Sequence, residues 1–302
     1  MAFTGSLAAI FVHSHAESLT VEVISLPALR VNGQAARAHT QGLEVAGGSY
    51  YVTARREDVR PKRALLLRTE TAGTNWDAWD VTPVALPGAV TGLDHPGGMQ
   101  SDGKRLWIPI AESKPKSRSL IRVFPLAGMV AGQPLEPELE FPVNDHIGAV
   151  AVAADHGFVF GANWDTEAVY VWDLEGHLKR TLTGAELGTR GLGVAAGSDS
   201  RAGVAIQDWK IIGDRLFASG LSRAPGLAAM SPKSRWMSFA NFLEPGFRRW
   251  AVVLPLHEGT ELGREAMAVA DGLVHFLPED LVATNRLFRV QITDLLKRST
   301  KQ

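Results

Sequence analysis

The chain has 302 residues, 45% of them hydrophobic and 21% charged, with a mean hydropathy of zero, which is globular composition with ample material for a core. Its 31 Lys and Arg against 32 Asp and Glu give a net charge of −1, so no cationic surplus exists to track a phosphate backbone, and nucleic acid is not expected as a partner. The absence of cysteine removes disulfides, thiolate nucleophiles and Cys-bound zinc without fixing a compartment.

The first stretch, Gly5 to Ala16, is a short apolar segment ending in small residues, with no basic residue before it. It fits the tail of an export signal as well as a plain extension. Residues 1–17 are therefore set apart, with a periplasmic or secreted location and a cytoplasmic one left open, and 18–302 are read as one domain. No run approaches the roughly 18 uncharged apolar residues of a membrane span, so no membrane partner is expected. The basic clusters Arg60, Lys62, Arg63 and Lys114, Lys116, Arg118 sit beside prolines between apolar runs and read as solvated loops. HExxH, GxSxG and phosphate-cradling glycine loops do not occur, which sets aside several common enzyme classes.

The 30 glycines and 16 prolines of the chain punctuate it, and short β-type runs recur beyond Leu19. Ser49 to Ala54, Leu106 to Ala111, Phe158 to Ala162, Leu216 to Gly220 and Leu273 to Phe276 each follow a tight-turn signal: Gly47-Gly48, Asp102-Gly103, His156-Gly157, Gly213-Asp214 and Asp271-Gly272. An apolar run precedes each turn, so five similar hairpins are expected. A further strand follows at Leu120 to Gly128, Val169 to Gly176 and Leu287 to Asp294. Long 3.6-period segments are absent, which argues against alternating βα units. Self-similarity at more than about 50 residues with about four strands per unit predicts an all-β, five-bladed β-propeller of four-stranded antiparallel blades. The N-terminal run Leu19 to Pro27 is expected to complete the last blade and close the ring. A pair of sandwiches is the rival architecture, and it requires no register that returns five times. The Trp-Asp pairs at Trp76, Trp79, Trp164 and Trp172 lack the Gly-His partner and repeat length of WD units, and read as packing between blades.

Aligning the units on their turns places His39, His95 and His146 at one position, with Ala205 and Gly263 in the remaining two units. Gln41, Gln207 and Glu265 fall level with one another two residues further on. If first strands line the channel, these side chains converge at one of its ends, and Gly42, Gly97, Gly98, Gly148 and Ala149 provide the room. Three imidazoles with a carboxylate nearby suit a divalent metal, with zinc, iron or manganese favoured over calcium. Histidines that merely bond to a neighbouring blade are the alternative. Asp94 and Asp145 precede two of the histidines and read as ring orienters or as turn residues. The connections Gly184 to Gly203 and Ser222 to Lys233 exceed hairpin length and are candidates for a rim or lid.

The segments DHPGGMQSDGKRLWIPIAE (Asp94 to Glu112), NDHIGAVA (Asn144 to Ala151) and GANWDTEAVYVWDLEG (Gly161 to Gly176) resemble a group of uncharacterised bacterial and fungal propeller proteins. That resemblance implies the fold alone. The architecture is more distantly similar to propeller lactonases, which use calcium held by acidic and amide ligands, and to five-bladed glycosidases, which use three channel carboxylates.

The expected function is a metal-dependent enzyme acting on a small molecule at the channel mouth, with an ester or lactone hydrolase as the leading reading. His39, His95 and His146 are the expected ligands, and Glu265 is a ligand or general base. Asp208 is a second candidate catalytic carboxylate, and Gln41, Gln207, Gln100 and Trp164 are the candidate substrate contacts. A noncatalytic propeller binding a ligand or partner protein is the alternative. A glycosidase or lyase using Asp145, Asp208 and Glu265 comes third.

Overall fold

The computed structural model describes residues 19–83, 92–183, 204–213, 215–222, 233–240, 249–254, 256–297 and 300–301. The segment 1–17 and most of the two long connections, 184–203 and 223–232, lie outside these residues.

Glycine turns produce the hairpins. Gly47, Gly48, Gly103, Gly157, Gly213 and Gly272 all adopt positive φ, the conformation that closes a short antiparallel connection at no cost to glycine. In chain order the first sheet pairs Ala38–Ala46, Ser49–Arg56, Arg63–Glu70 and Asp77–Asp80. The second pairs a broken inner strand, Leu93–Pro96 and Gln100–Ser101, with Arg105–Glu112, Ser119–Pro125 and Leu139–Val143. The third runs Ile147–Ala153, Phe158–Asn163, Ala168–Asp173 and Leu178–Thr183. The fourth runs Val204–Ile212, Arg215–Ser222, Lys233–Ala240 and Arg249–Val253, with Thr300–Lys301 at its edge. The fifth contains Ala266–Ala270, Leu273–Leu277 and Asn285–Gln291, and Glu22–Leu26 pairs antiparallel with the last of these. The N-terminal strand thus joins the last sheet, as its sequence predicts. The run Leu287 to Asp294 corrects a detail, because its final residues turn into a short helix, Ile292–Lys297.

Burial falls from the axis outward. Ile147–Ala153 is buried almost throughout, whereas the outermost strand of that sheet, Leu178–Thr183, is exposed along most of its length. Strands covered on both faces read as continuous apolar runs rather than alternating ones. Leu65, Leu66 and Leu67 are buried in succession because successive side chains enter different intersheet layers.

The apolar core of the described residues divides into five clusters, each between neighbouring sheets. Leu66, Trp79, Ile108 and Phe124 join the first and second sheets, and Trp107, Val150 and Trp172 the second and third. Phe160, Trp209 and Leu216 join the third and fourth, and Phe217, Phe276 and Phe288 the fourth and fifth. Leu43, Val52, Ala268, Leu277 and Leu287 return from the fifth to the first. Layers that close on themselves in this way form a propeller, and paired sandwiches are excluded. Buried Trp76, Trp79 and Trp172 pack between sheets as expected, and Trp164 stands apart, only partly buried.

Candidate functional site

Three inner strands share an irregularity at the same level. Pairing to the second strand slips between Thr40 and Gly42, between Ile147 and Ala149, and between Ile206 and Asp208. The unpaired extra residues are Gln41, Gly148 and Gln207. A bulge re-aims its side chain and increases the local twist, so the positions level in sequence are also equivalent in structure. Beyond the bulges the backbones crowd together. A Cβ on Gly42 would lie 2.8 Å from the Gly97 carbonyl oxygen, and one on Gly98 2.7 Å from the Gln207 oxygen. Gly97 would collide with the carbonyl of Gly148. Gly148 itself departs from the expectation of minimal space, since nothing lies closer than 3.9 Å to a Cβ placed there.

His39, His95 and His146 sit where these strands begin, and their fixed ring partners set their tautomers. His39 Nδ1 lies 2.7 Å from Asp280 Oδ1. A carboxylate only accepts, so Nδ1 carries the proton and Nε2 the lone pair of the neutral ring. His146 Nδ1 lies 2.7 Å from the carbonyl oxygen of Glu112, which gives the same tautomer. His95 is the reverse: Arg55 Nη1 donates to its Nδ1 at 2.9 Å, so Nε2 bears the hydrogen. Burial pushes His95 well below the usual histidine range, and His146, Arg55 and His39 push it further. Burial also lowers His146. The His95 and His146 rings are 5.4 Å apart, and Trp164 stands edge-on to His146 at 4.5 Å.

Asp280, absent from the sequence-based candidates, belongs to the site. It lies in the connection after Leu273–Leu277, and the backbone pairing of Leu281 with Ala38 fixes it against the first sheet. Arg37 donates to its other oxygen at 2.9 Å. Burial acts to raise its pKa, but the bonds from His39 and Arg37 outweigh it and hold Asp280 below the usual carboxylate range. Nearby Glu265 behaves oppositely. It is 8% exposed, its cationic neighbour Arg264 is 3.4 Å away, and burial pushes it up to about 8, with Asp280 adding in the same direction. At neutral pH Glu265 is a carboxylic acid beside an ionised Asp280. No spacing motif links His39 to Asp280 across the chain. The signal that could have found it is that several second strands end in, or are followed within three residues by, an acidic residue: Glu57, Glu112, Asp165 and Asp280.

Two of the expected site residues lie elsewhere. Asp208 is fully buried. Its Oδ2 accepts from the backbone N–H of Leu43 and Met267, both at 3.0 Å, and its Oδ1 from Trp209 N at 2.9 Å and Lys210 Nζ at 2.5 Å. Every lone pair is used and no substrate reaches it, so a catalytic role is corrected to a structural one. Gln100 is corrected likewise: its amide oxygen accepts from Val152 and Ile211, and its nitrogen donates to the Ile211 carbonyl. Asp208 and Gln100 together tie all five inner strands. With Lys210 and with Glu44, which burial pushes up to about 7, they seal the axis below the histidines. Asp145 accepts from Asn163 and Tyr170 within the third sheet, and Asp94 accepts from Ser113. Neither orients a ring nitrogen.

The donor set also bears on the expected metal. Among the described residues no three His, Cys, Asp or Glu side chains group as ligands. His95 presents an N–H rather than a lone pair, so the three histidines do not fit as one ligand set. His39 and His146 retain Nε2 lone pairs.

Residues 29–226 match the model of a family of unknown function (DUF6454). The sequence matches no curated protein. Similar solved structures include the catalytic domain of the Coprinopsis cinerea GH62 α-L-arabinofuranosidase, at 9% identity and TM-score 0.50 over 91% of this chain and 98% of that one. The bifunctional GH43-CE protein of Bacteroides eggerthii matches at 9% identity and TM-score 0.52, over 84% of this chain and 32% of that one. The β-propeller domain of the trilobed protease from Pyrococcus furiosus has 9% identity and TM-score 0.37, over 80% and 79%. At such identities the likeness concerns the fold alone.

Proposed function

The chain belongs to this family, whose description assigns no activity, and we propose that it is an enzyme acting on a small molecule at the mouth of a five-bladed propeller, each of the five sheets forming one blade. The reaction is hydrolysis of an ester or lactone by acid–base catalysis. The observation that carries the reading is the His39–Asp280 pair at 2.7 Å beside a Glu265 that stays protonated at neutral pH. An imidazole held by a carboxylate as base, beside a carboxyl group that burial keeps in its acid form, is what such chemistry needs. His39 Nε2 takes a proton from water as its oxygen attacks the carbonyl carbon, and Asp280 stabilises the imidazolium. His95 Nε2–H donates to the developing oxyanion. The Glu265 carboxyl protonates the departing alkoxide as the acyl bond breaks, leaving an acid and an alcohol. Gln41 and Gln207 orient the substrate, and Trp164 packs against its apolar part.

The test is turnover of a panel of p-nitrophenyl esters and lactones. Glu265→Gln and His39→Ala are each expected to lower kcat/KM by about 100-fold or more, and unchanged rates would overturn the assignment. Metal enters as a second form of the same reading, with zinc, iron or manganese held by His39 and His146. Elemental analysis separates the two forms: a stoichiometric metal lost in His39→Ala favours the metal form, and metal-free active protein assigns the chemistry to side chains.

A glycosidase is the second reading, with Glu265 as acid and Asp280 as its carboxylate partner in place of Asp208. The opposite shifts of these two groups support it, because glycoside hydrolysis uses such a pair. Release of nitrophenol from aryl glycosides, arabinofuranosides included, with no ester turnover would select it.

A further inference from the structure

We propose that Asp208 is a positioning residue for the mouth, its buried carboxylate setting the relative heights of the strands that carry Gln41, Gln207 and Glu265. Its importance rests on the mouth's being the active site, although its test does not. Asp208 directly follows the bulge residue Gln207. The two amides it captures on other sheets, Leu43 and Met267, lie two residues beyond Gln41 and two beyond Glu265. One oxygen therefore grips the first and fifth sheets together at the same depth, while the fourth sheet supplies the carboxylate.

A strand advances about 3.3 Å per residue, so a slip of one residue at this point would move a mouth side chain by more than a hydrogen-bond length. Gly98 keeps the space open, since a Cβ there would lie 2.6 Å from Asp208 Oδ1. Lys210 and Glu44 are the charged groups facing the carboxylate. Burial pushes Asp208 up to about 6 while Lys210 and the amides oppose it, so the gripping form is ionised at neutral pH. A different side chain, Gln100, ties the second sheet to the third and fourth through Val152 and Ile211. The grip of Asp208 is thus specific to the sheets bearing Gln41, Gln207 and Glu265.

The test follows the full chain, labelled with ¹⁵N and ¹³C, by NMR. In Asp208→Asn the side-chain amide signals of Gln41 and Gln207 are expected to move, and the titration midpoint of Glu265 to shift by about half a pH unit or more, equivalent to at least about a threefold change in its proton affinity. The indole N–H of Trp79, bonded to the Val130 carbonyl, serves as the control and stays in place. A folded variant with unchanged Gln41, Gln207 and Glu265 signals overturns the proposal. If the variant does not fold, amide exchange in the native chain decides. Leu43 and Met267 are expected to exchange about 100-fold or more slowly than the turn amides Gly47 and Gly272, and exchange at the turn rate overturns the grip. These signals require no substrate. A chain that hydrolyses no ester but shifts its mouth signals would therefore defeat the proposed function and keep this inference.

Discussion

Asp208 and Glu265 are buried carboxylates on neighbouring inner strands of one channel, and they have opposite fates. Asp208 lies deeper, yet burial raises it only to about 6 because three amides and an ammonium oppose the shift. Glu265 is slightly more accessible but, among the described residues, has only Arg264 to oppose burial, and it reaches about 8. Donors, more than depth, decide which carboxylate stays ionised. The channel therefore divides into a seal, where the Asp208 carboxylate and the Gln100 amide oxygen are fully partnered, and a mouth, where proton affinity is left for chemistry.

The largest expected effect comes from the ring closure that seal and mouth share. Removing residues 1–28 deletes the strand that completes the fifth sheet, and the protein is expected to lose its cooperative thermal transition. An unchanged melting temperature would show that seal and mouth do not depend on the closed ring. Asp208→Ala follows, since it strands a buried ammonium and three amides. A loss of about 3–5 kcal/mol in urea unfolding is expected.

Glu265→Gln separates the regions by sign. The folded pKa of this group lies above its ordinary value, so its stabilising effect is complete below about pH 4.5 and is lost as pH rises towards about 8. The glutamine variant should match the native protein at pH 4.5 and exceed it by on the order of 2–4 kcal/mol at pH 9. A constant difference across that range would place Glu265 among the satisfied groups. The smallest effect on stability, under about 1 kcal/mol, is expected for Asp280→Asn, because its partners are partly solvated. Its kcat/KM should nonetheless fall by about tenfold or more as the His39 tautomer loses its anchor.

The architecture was largely legible before any coordinates. Turn glycines at Gly47, Gly103 and Gly272 announced hairpins, and the return of histidine at His39, His95 and His146 announced a common register. The division between seal and mouth was not legible, because it depends on the bulges. Strict alternation sends residues 207 and 208 to opposite faces without saying which one meets solvent, and an unpaired residue resets that parity locally. Asp208 therefore read as a reachable carboxylate. Gln100 was misread for a related reason: the break between Pro96 and Gln100 places it past the crowded glycines and inside the seal. Asp280 escaped notice because a connection, not a strand, carries it, and its contact with His39 bridges nearly the whole chain.

The three bulges have a consequence for engineering. Gln41, Gly148 and Gln207 are the residues that the hydrogen-bond ladders skip, so their side chains can be exchanged with little disturbance of strand pairing. Gly148 has room for a side chain and shows no positive φ. A combinatorial library confined to positions 41, 148 and 207 would vary the lining of the mouth from three directions on an unaltered scaffold, making this channel a ready platform for selecting new specificities.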